Sequence, residues 1–333
     1  MRVRVSPSVI FSFLKVYNIY FEENMLPFTL QQLRILKAVA TEKNFTKAAE
    51  ILYLSQPYIS KQIKTLEQNL DVILVNRSSS NFSLTENGRV FLQYSERILA
   101  LCEESCRALI DLKNGDRGNL TVGASQTIGT YLMPRVLALF AQNYPQINLN
   151  VQVNSTRLIS KQIINRQIDL AIVGGEVPTD LKKTLKIHFY VEDQLNLIIS
   201  KSHPFAKKKK IKKEDLYHLK FITLNSTSTI RQFIDNVLKQ KSIEIDQLKI
   251  VMQLNSIEAI KTAVSLGLGV AFVSSSAIEK EIQLQTIKIL QIENIRITRN
   301  LSIISHAECY KSKAFNLFYN ELIYLKKNIK KFI

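Results

Sequence analysis

The hydrophobic positions between residues 29 and 70 predict three short helices in succession. Thr29, with Gln32 three residues later, has the pattern of a capping box. Asn44 and Ser55 are each placed to cap one of the next two helices, and Pro57 suits the first turn of the third. The apolar residues repeat at three- and four-residue steps: Leu33, Leu36 and Ala40, then Phe45, Ala48, Ala49 and Leu52, then Ile59, Ile63, Leu66 and Leu70. The short connection after the second helix predicts a helix-turn-helix over about residues 45–64.

The polar face of the third helix is the candidate DNA-reading surface. Gln56, Ser60, Lys61 and Lys64 project away from its apolar stripe, and such side chains read base edges or contact phosphate in a major groove. Periodicity alone is equally consistent with an ordinary solvated helix face and with a DNA-reading face. Two short predicted strands, residues 72–75 and 82–84, shift this balance because they indicate a wing that would lay Arg77 against the DNA backbone.

A long amphipathic helix is predicted from Thr85 to about residue 112. A heptad seam runs along it: Phe91, Tyr94, Ile98, Leu101, Ser105, Ala108 and Leu112. A repeat of this kind is typical of a helix that pairs with a second copy, so Phe91, Tyr94, Ile98, Leu101 and Leu112 are expected to form a dimer interface. The alternative is a helix buried within one chain.

Beyond residues 114–118, which break the helix, strands and helices alternate. Strands are predicted at residues 120–124, 147–153, 168–173, 194–199, 221–224, 249–254 and 270–273, with helices at 130–143, 156–166, 230–239 and 257–266. This order predicts parallel sheets in two α/β lobes joined by crossing strands, an architecture like that of periplasmic binding proteins. Ligands of such sheets bind at the carboxyl ends of the strands, in the cleft.

The residues at those strand ends are small and polar. The expected ligand contacts are Ser125, Gln126, Thr127, Ser155, Thr156, Arg157, Gly175, Asn225, Ser226, Thr229 and Ser256. Helix N-termini supply free N–H groups, and Arg157 and Arg231 would suit a carboxylate or phosphate. Each residue alone is more often a helix cap than a ligand contact. The cluster as a whole predicts a cleft for a small anionic effector, with no other cofactor and no metal.

Charge and composition narrow the function classes only slightly. The net charge of +17 suits a polyanionic partner, yet the region from residue 28 to residue 85 is only mildly basic. Lysines cluster at residues 207–213 and 326–331, and we interpret them first as solvated surface and second as nucleic-acid contacts. No apolar run reaches the ~20 residues that span a bilayer, so a soluble chain without a membrane partner is expected.

Residues typical of catalytic sites, metal sites and disulfides are few. The four histidines have no metal-ligand or triad-like spacing, so no enzyme is expected. The three cysteines are too few for a disulfide framework and indicate a reducing compartment. Cys102 and Cys106, four residues apart on the long helix, leave a redox-sensing regulator as an alternative. A solute-binding transport protein would share the cleft, but it would need an export signal before that domain.

The N-terminal residues have a separate character. Residues 1–24 combine Arg2 and Arg4 with an apolar stretch and end just before a second methionine, Met25. They resemble a targeting segment without a small-residue cleavage site, or equally a stretch upstream of the true start codon.

Two stretches resemble the LysR family of transcriptional regulators. The first is FTKAAEILYLSQPYISKQIKTLEQNLDVILVNR, residues 45–77, with LTENG at 84–88, which resembles that family's DNA-binding domain in residues and spacing. The second is GLGVAFVS at 267–274, which is similar to its effector domain. The resemblance covers about residues 26–305. Tyr58, where the family usually has a small residue, and Val75, where Phe is common, depart from the pattern.

The resemblance implies five segments and their partners. The segments are an extension (1–24), a winged helix-turn-helix (25–84), a linker helix (85–116), an effector-binding domain (117–310) and a basic C-terminal helix or tail (311–333). The residues expected to meet double-stranded DNA are Arg34, Thr46, Ser55, Gln56, Pro57, Tyr58, Ser60, Lys61, Lys64 and Arg77. The other implied partners are the effector, RNA polymerase and further copies of the chain, as a dimer and then a tetramer.

Two further segments, residues 101–112 and 122–135, look most like family members from algal plastids and cyanobacteria. That likeness implies control of the genes for the large and small subunits of RuBisCO. The chain's abundance of Lys, Ile and Asn, with no Trp, agrees with an AT-rich plastid genome. The expected location is the plastid stroma, with the bacterial cytoplasm as the alternative, and another operon remains an alternative target.

Overall fold

The protein contains two compact units. The computed structural model describes residues 26–76, 82–114 and 118–328, so the predicted extension, Arg77 and the last five residues lie outside it. The units divide between Ser105 and Cys106, inside a long helix, whereas the boundary predicted near residue 116 marks the end of that helix. The N-terminal elements are α1 (Leu30–Glu42), α2 (Phe45–Leu52), α3 (Gln56–Leu70), β1 (Val75–Asn76), β2 (Ser83–Leu84) and α4 (Glu86–Asn114).

The predicted helix caps of the N-terminal unit are confirmed. The hydroxyl of Thr29 accepts the backbone N–H of Gln32 at 3.2 Å, and the Gln32 side chain accepts that of Thr29 at 2.9 Å. Asn44 and Ser55 cap α2 and α3 through their side chains. These polar groups satisfy N–H donors that have no partner within the helix, so each helix begins at a fixed residue.

A small apolar core joins α1, α2 and α3. Ile59, Ile63 and Leu66 are fully buried, as predicted for the stripe on α3, while Leu70 is only half-buried. The carboxylate of Glu67 accepts the backbone N–H groups of Leu74 and Val75 at 2.9 and 3.0 Å. This contact fixes where the chain leaves α3 for β1. The described strands of the wing are two residues each, shorter than predicted.

The second unit is a two-lobed α/β domain. Its strands are β3 (Gly118–Ser125), β4 (Ile147–Asn154), β5 (Leu170–Gly174), β6 (Leu185–Ser200), β7 (Lys210–Ile211), β8 (Lys220–Leu224), β9 (Lys249–Leu254), β10 (Ala271–Ser274), β11 (Ile287–Ile292) and β12 (Ile297–His306). Its helices are α5 (Met133–Asn143), α6 (Thr156–Ile164), α7 (Thr229–Gln240), α8 (Ile257–Ser265), α9 (Glu279–Gln283) and α10 (Lys313–Asn328). Parallel pairing of β3 with β4 and β5, and of β8 with β9, confirms the predicted parallel sheets.

Two long antiparallel strands cross between the lobes. The first half of β6 pairs with β12, whose other edge pairs with β5 in lobe 1, and the second half of β6 pairs with β10 and β11 in lobe 2. The prediction found only the second half of β6 and missed β11 and β12. The pairing of β6 with β12 shifts register between Leu301 and Ser302, where the strands pass from one lobe to the other.

Two predictions for lobe 1 are corrected. The helix predicted at residues 130–143 begins with a π-helical turn, Ile128–Leu132, before α5. The segment after residue 310, predicted as a basic helix or tail beyond the effector-binding domain, is helical as α10 and completes lobe 1. Phe315, Phe318 and Leu322 are buried in its core, and the rings of Phe318 and Phe140 meet edge to face at 5.0 Å. The segment has an apolar stripe among its lysines, which was not predicted from the sequence.

Candidate functional site

The described residues that were predicted to read DNA lie at the surface of the N-terminal unit. Gln56, Lys61 and Lys64 on α3 are exposed, and Ser60 is half-buried beside Gln56, whose amide donates to its hydroxyl at 3.5 Å. The remaining described members of the predicted set are exposed too: Arg34, Thr46, Ser55, Pro57 and Tyr58. Ser55 also caps α3, so it has a structural role besides any contact with DNA. A helix with a free polar face of this kind fits a major groove.

The residues of the predicted dimer seam on α4 are only partly buried within the single chain. The side chains of Tyr94 and Leu101 are 56% and 52% exposed, while Ile98 is half-buried. Phe91 packs against the core of the N-terminal unit, and its ring meets Phe28 at 5.5 Å. The side chain of Leu112 lies outside the described residues. Exposed apolar residues at heptad spacing favour a partner helix, and the seam remains a prediction.

A cleft of about 400 Å³ opens between the two lobes of the C-terminal unit. Helices α6, α7 and α8 all begin at it, and each is capped by a serine: Ser155, Ser228 and Ser256. The unpaired N–H groups at these N-termini give the cleft a positive potential without a net charge. Such a site favours an anionic ligand.

Most of the predicted effector contacts meet at this cleft. The lining includes Ser125, Gln126, Thr127, Ser155, Thr156, Asn225, Thr229 and Ser256. Arg157, Gly175 and Ser226 are not among its lining residues. Arg157 is exposed and paired with Asp180 at 2.9 Å, and Arg231, also considered as a clamp, is paired with Asp235 at 2.7 Å. Both arginines therefore form ion pairs with acidic residues of the protein, Arg157 with one on a nearby loop and Arg231 with one on the next turn of its own helix.

Sequence reasoning missed the only arginine that lines this cleft within the described part of the chain. Arg299 lies on β12, is 5% exposed, and its Nε donates to Asp193 on β6 at 2.8 Å. Asp193 also accepts the hydroxyl of Ser274 at 2.6 Å. The strand that carries Arg299 was not predicted, and no motif marks the residue. Only the pairing of β6 with β12 places it at the floor of the cleft.

A hydrogen bond links the two lobes at the rim of the cleft. The phenol of Tyr131 in lobe 1 donates to the carboxylate of Glu258 at the start of α8, at 2.7 Å. The ammonium of Lys261, 4% exposed, contacts Glu258 at 3.0 Å and Glu281 at 2.9 Å. Arg135 also pairs with Glu279 across the lobes. Burial and the contact with Glu258 raise the pKa of the Tyr131 phenol, so it stays a proton donor.

Removing this phenol is expected to raise the pKa of the Glu258 carboxyl. Burial acts to raise that pKa, but hydrogen bonds from Tyr131 and Lys261, together with the positive charges of Lys261 and Lys280, outweigh burial and lower it. Because the folded-state pKa is lowered, the bond stabilises the fold above the pKa of the unfolded state, and this stabilisation is lost as the pH falls. In Tyr131→Phe, carbon-13 NMR titration of Glu258 should show the rise. An unchanged titration curve would mean that the phenol does not bind Glu258 in solution.

The described ranges contain no candidate metal-binding cluster, no helix that could span a membrane and no disulfide. No group of histidine, cysteine and acidic residues there could hold a metal ion. No helix in those ranges is long and apolar enough to cross a membrane. Cys102 is half-buried, Cys106 is exposed, and neither forms a disulfide.

Comparisons with known proteins agree with both units. Residues 30–89 match the family model of the bacterial regulatory helix-turn-helix protein, lysR family, and residues 113–324 match the LysR substrate binding domain. A protein of Phaeodactylum tricornutum, named "Probable RuBisCO transcriptional regulator", is 77% identical over 305 residues, 92% of this chain and 99% of that protein.

Solved structures give the same fold. Full-length CbnR in complex with its target DNA is similar with a TM-score of 0.63 and 22% identity, over 89% of this chain and 99% of CbnR. The regulatory domain of Synechocystis PCC6803 CcmR in complex with 2-PG has a TM-score of 0.57 and 27% identity, over 64% of this chain and 99% of that domain. With both family models matched and a relative this similar over its full length, the chain belongs to the LysR family of DNA-binding transcriptional regulators.

Proposed function

We propose that this LysR-type regulator controls transcription of the RuBisCO large- and small-subunit genes in the plastid stroma. The naming of the Phaeodactylum relative, 77% identical over nearly its whole length, supports this target. The observation that carries the DNA-binding part is the exposed polar face of α3, held at a fixed start by Ser55. A homo-oligomer would present two such helices to a site with two-fold symmetry.

The regulator would respond to a small anionic metabolite in the cleft. Three helix N-termini and a buried arginine at the cleft support an anion, and the similar CcmR domain was solved with 2-PG. Effector binding would shift the population of closed clefts. The altered bend of the bound DNA would then change contact with RNA polymerase. Unchanged footprint, bend and transcription at saturating effector would contradict this mechanism.

The target is tested by footprinting the full chain on DNA from upstream of the RuBisCO genes, with unrelated plastid DNA as competitor. The variant Gln56→Ala with Ser60→Ala should lose specific affinity by about 10-fold or more, because one bidentate base contact contributes about 1–3 kcal/mol of discrimination. Non-specific binding should persist, since phosphate contacts supply it.

A matched control is Gln68→Ala, an exposed glutamine in the last turn of α3, about 18 Å along the helix axis from Gln56. It should leave the footprint unchanged. If the wild type binds both DNAs alike over a range of salt concentrations, the RuBisCO target is wrong and another operon must be sought.

A further inference from the structure

We infer that Arg299 and Thr127 anchor one anionic oxygen of the effector at the floor of the cleft. The inference rests on the proposed function of the cleft and names the residues that select the ligand. An anion held there would bear a carboxylate or a phosphate, the groups whose oxygens match guanidinium and hydroxyl donors.

The guanidinium of Arg299 has an N–H donor group that no acceptor in the described part of the chain uses. Its Nε donates to Asp193, but its Nη2 has no acceptor among the described residues. An unpaired buried donor destabilises the fold, so its presence beside a cleft indicates a missing partner. Asp193 holds the guanidinium in place and is itself engaged by Ser274. The arginine is therefore fixed before any ligand arrives, which reduces the entropy lost on binding.

Thr127, far from Arg299 in the sequence, also has a buried polar atom without a hydrogen-bond partner within the described ranges. The residue is 2% exposed and lines the cleft, and its hydroxyl has no hydrogen-bond partner in the described chain. Threonine could have been replaced there by valine without loss of any internal bond. The hydroxyl is thus explained better by a ligand than by the fold.

Gly174 keeps the space beside the guanidinium open. A Cβ built on this residue would lie 3.1 Å from both Cζ and Nη1 of Arg299, and Gly174 also lines the cleft. Its own backbone N–H and carbonyl are bonded to Ser125 and Thr156. An oxygen that enters at Gly174 would approach the guanidinium from the side of Nη1, next to Nη2, which is unpaired in the described chain.

The charges around the cleft favour an anion of modest size. Asp193 is paired with Arg299, and Glu258 is engaged by Tyr131 and Lys261, so neither of these carboxylates is left uncompensated. The N-termini of α6, α7 and α8 add positive potential. The volume of about 400 Å³ suits a compact metabolite.

The test is isothermal titration calorimetry of the full chain at constant ionic strength. The probes are 2-phosphoglycolate, glycolate and inorganic phosphate, which carry both anionic groups, the carboxylate alone and the phosphate alone. We expect 2-phosphoglycolate to bind the wild type. Thr127→Val should weaken this binding about 10-fold or more without reducing thermal stability, because its hydroxyl bonds no protein group but would bond a charged ligand.

The double variant Arg299→Gln with Asp193→Asn removes both charges together, so that no unpaired carboxylate is left buried. It should weaken binding about 100-fold. The matched control is Arg157→Gln, which removes an exposed arginine outside the cleft and should bind as the wild type does.

Equal affinity of Thr127→Val, the double variant and the wild type would overturn the inference, as would failure of all three probes to bind the wild type. If only the anchor is wrong, the wild type should still give its footprint on DNA from upstream of the RuBisCO genes. Loss of the wild-type footprint with anion binding retained would instead contradict the proposed target alone.

Discussion

Replacing Leu101 with glutamate is expected to weaken self-association of the chain by at least about 100-fold. Each fully buried leucine contributes about 1.5–3 kcal/mol, and a two-fold interface contains the residue twice. Because 52% of this side chain is exposed in one chain, the change should not unfold α4. Analytical ultracentrifugation would show the shift to monomers, and footprints over two half-sites should weaken with it.

Leu109→Glu is the matched control. Leu109 lies on the same helix and is 64% exposed, but it stands one residue outside the predicted seam. This variant should keep the association state of the wild type. If Leu101→Glu sediments as the wild type does while Leu109→Glu dissociates, the helix pairs through a different face from the one that the heptads predict.

Gly88→Ala is expected to destabilise the N-terminal unit by about 3 kcal/mol. In an open helix position the same change stabilises by up to about 1 kcal/mol, because alanine has the higher helix propensity. Here a Cβ would lie 2.0 Å from the carbonyl oxygen of Leu74, which also accepts the backbone N–H of Thr85. Backbone on both sides must move, so the sign of the effect reverses. Urea unfolding followed by circular dichroism measures the loss.

Asn87→Ala tests whether this loss is specific to the close approach. Asn87 is the exposed neighbour of Gly88 in the first turn of α4, so its replacement should change the free energy of unfolding by less than about 0.5 kcal/mol. Should Gly88→Ala prove as stable as the wild type, α4 does not pack against Leu74 in solution.

The sequence predicted the N-terminal unit well because its signals are local. Capping residues lie within three positions of the N–H groups that they satisfy, and helical periodicity is visible within a single element. The βαβ order of lobe 1 was predicted for the same reason. The crossing strands β6 and β12 were largely missed, because their partners lie about a hundred residues apart. Helix α10 was expected as a basic helix or tail, and its packing in lobe 1 was not predicted because lysines lie among the apolar positions that lobe 1 buries.

The candidate cleft shows the same division. Eight predicted contacts line it because polar residues at strand ends and helix starts are recognisable in order along the chain. Arg157 was predicted from its position after a strand, yet Asp180, brought near by folding, binds it instead. Arg299 could not be predicted, since nothing close in sequence distinguishes it from any other arginine on a strand.

The sequence by itself therefore determined the helix-turn-helix, the long helix with its heptad pattern, the alternation of strands and helices, and the family. Each of these depends on spacings of a few residues or on the identity of a continuous stretch. The tertiary structure alone decided which arginine enters the cleft, which lobe the C-terminal helix completes, and why residue 88 is glycine. Those features depend on contacts between distant segments, and such contacts exist only once the backbone has folded.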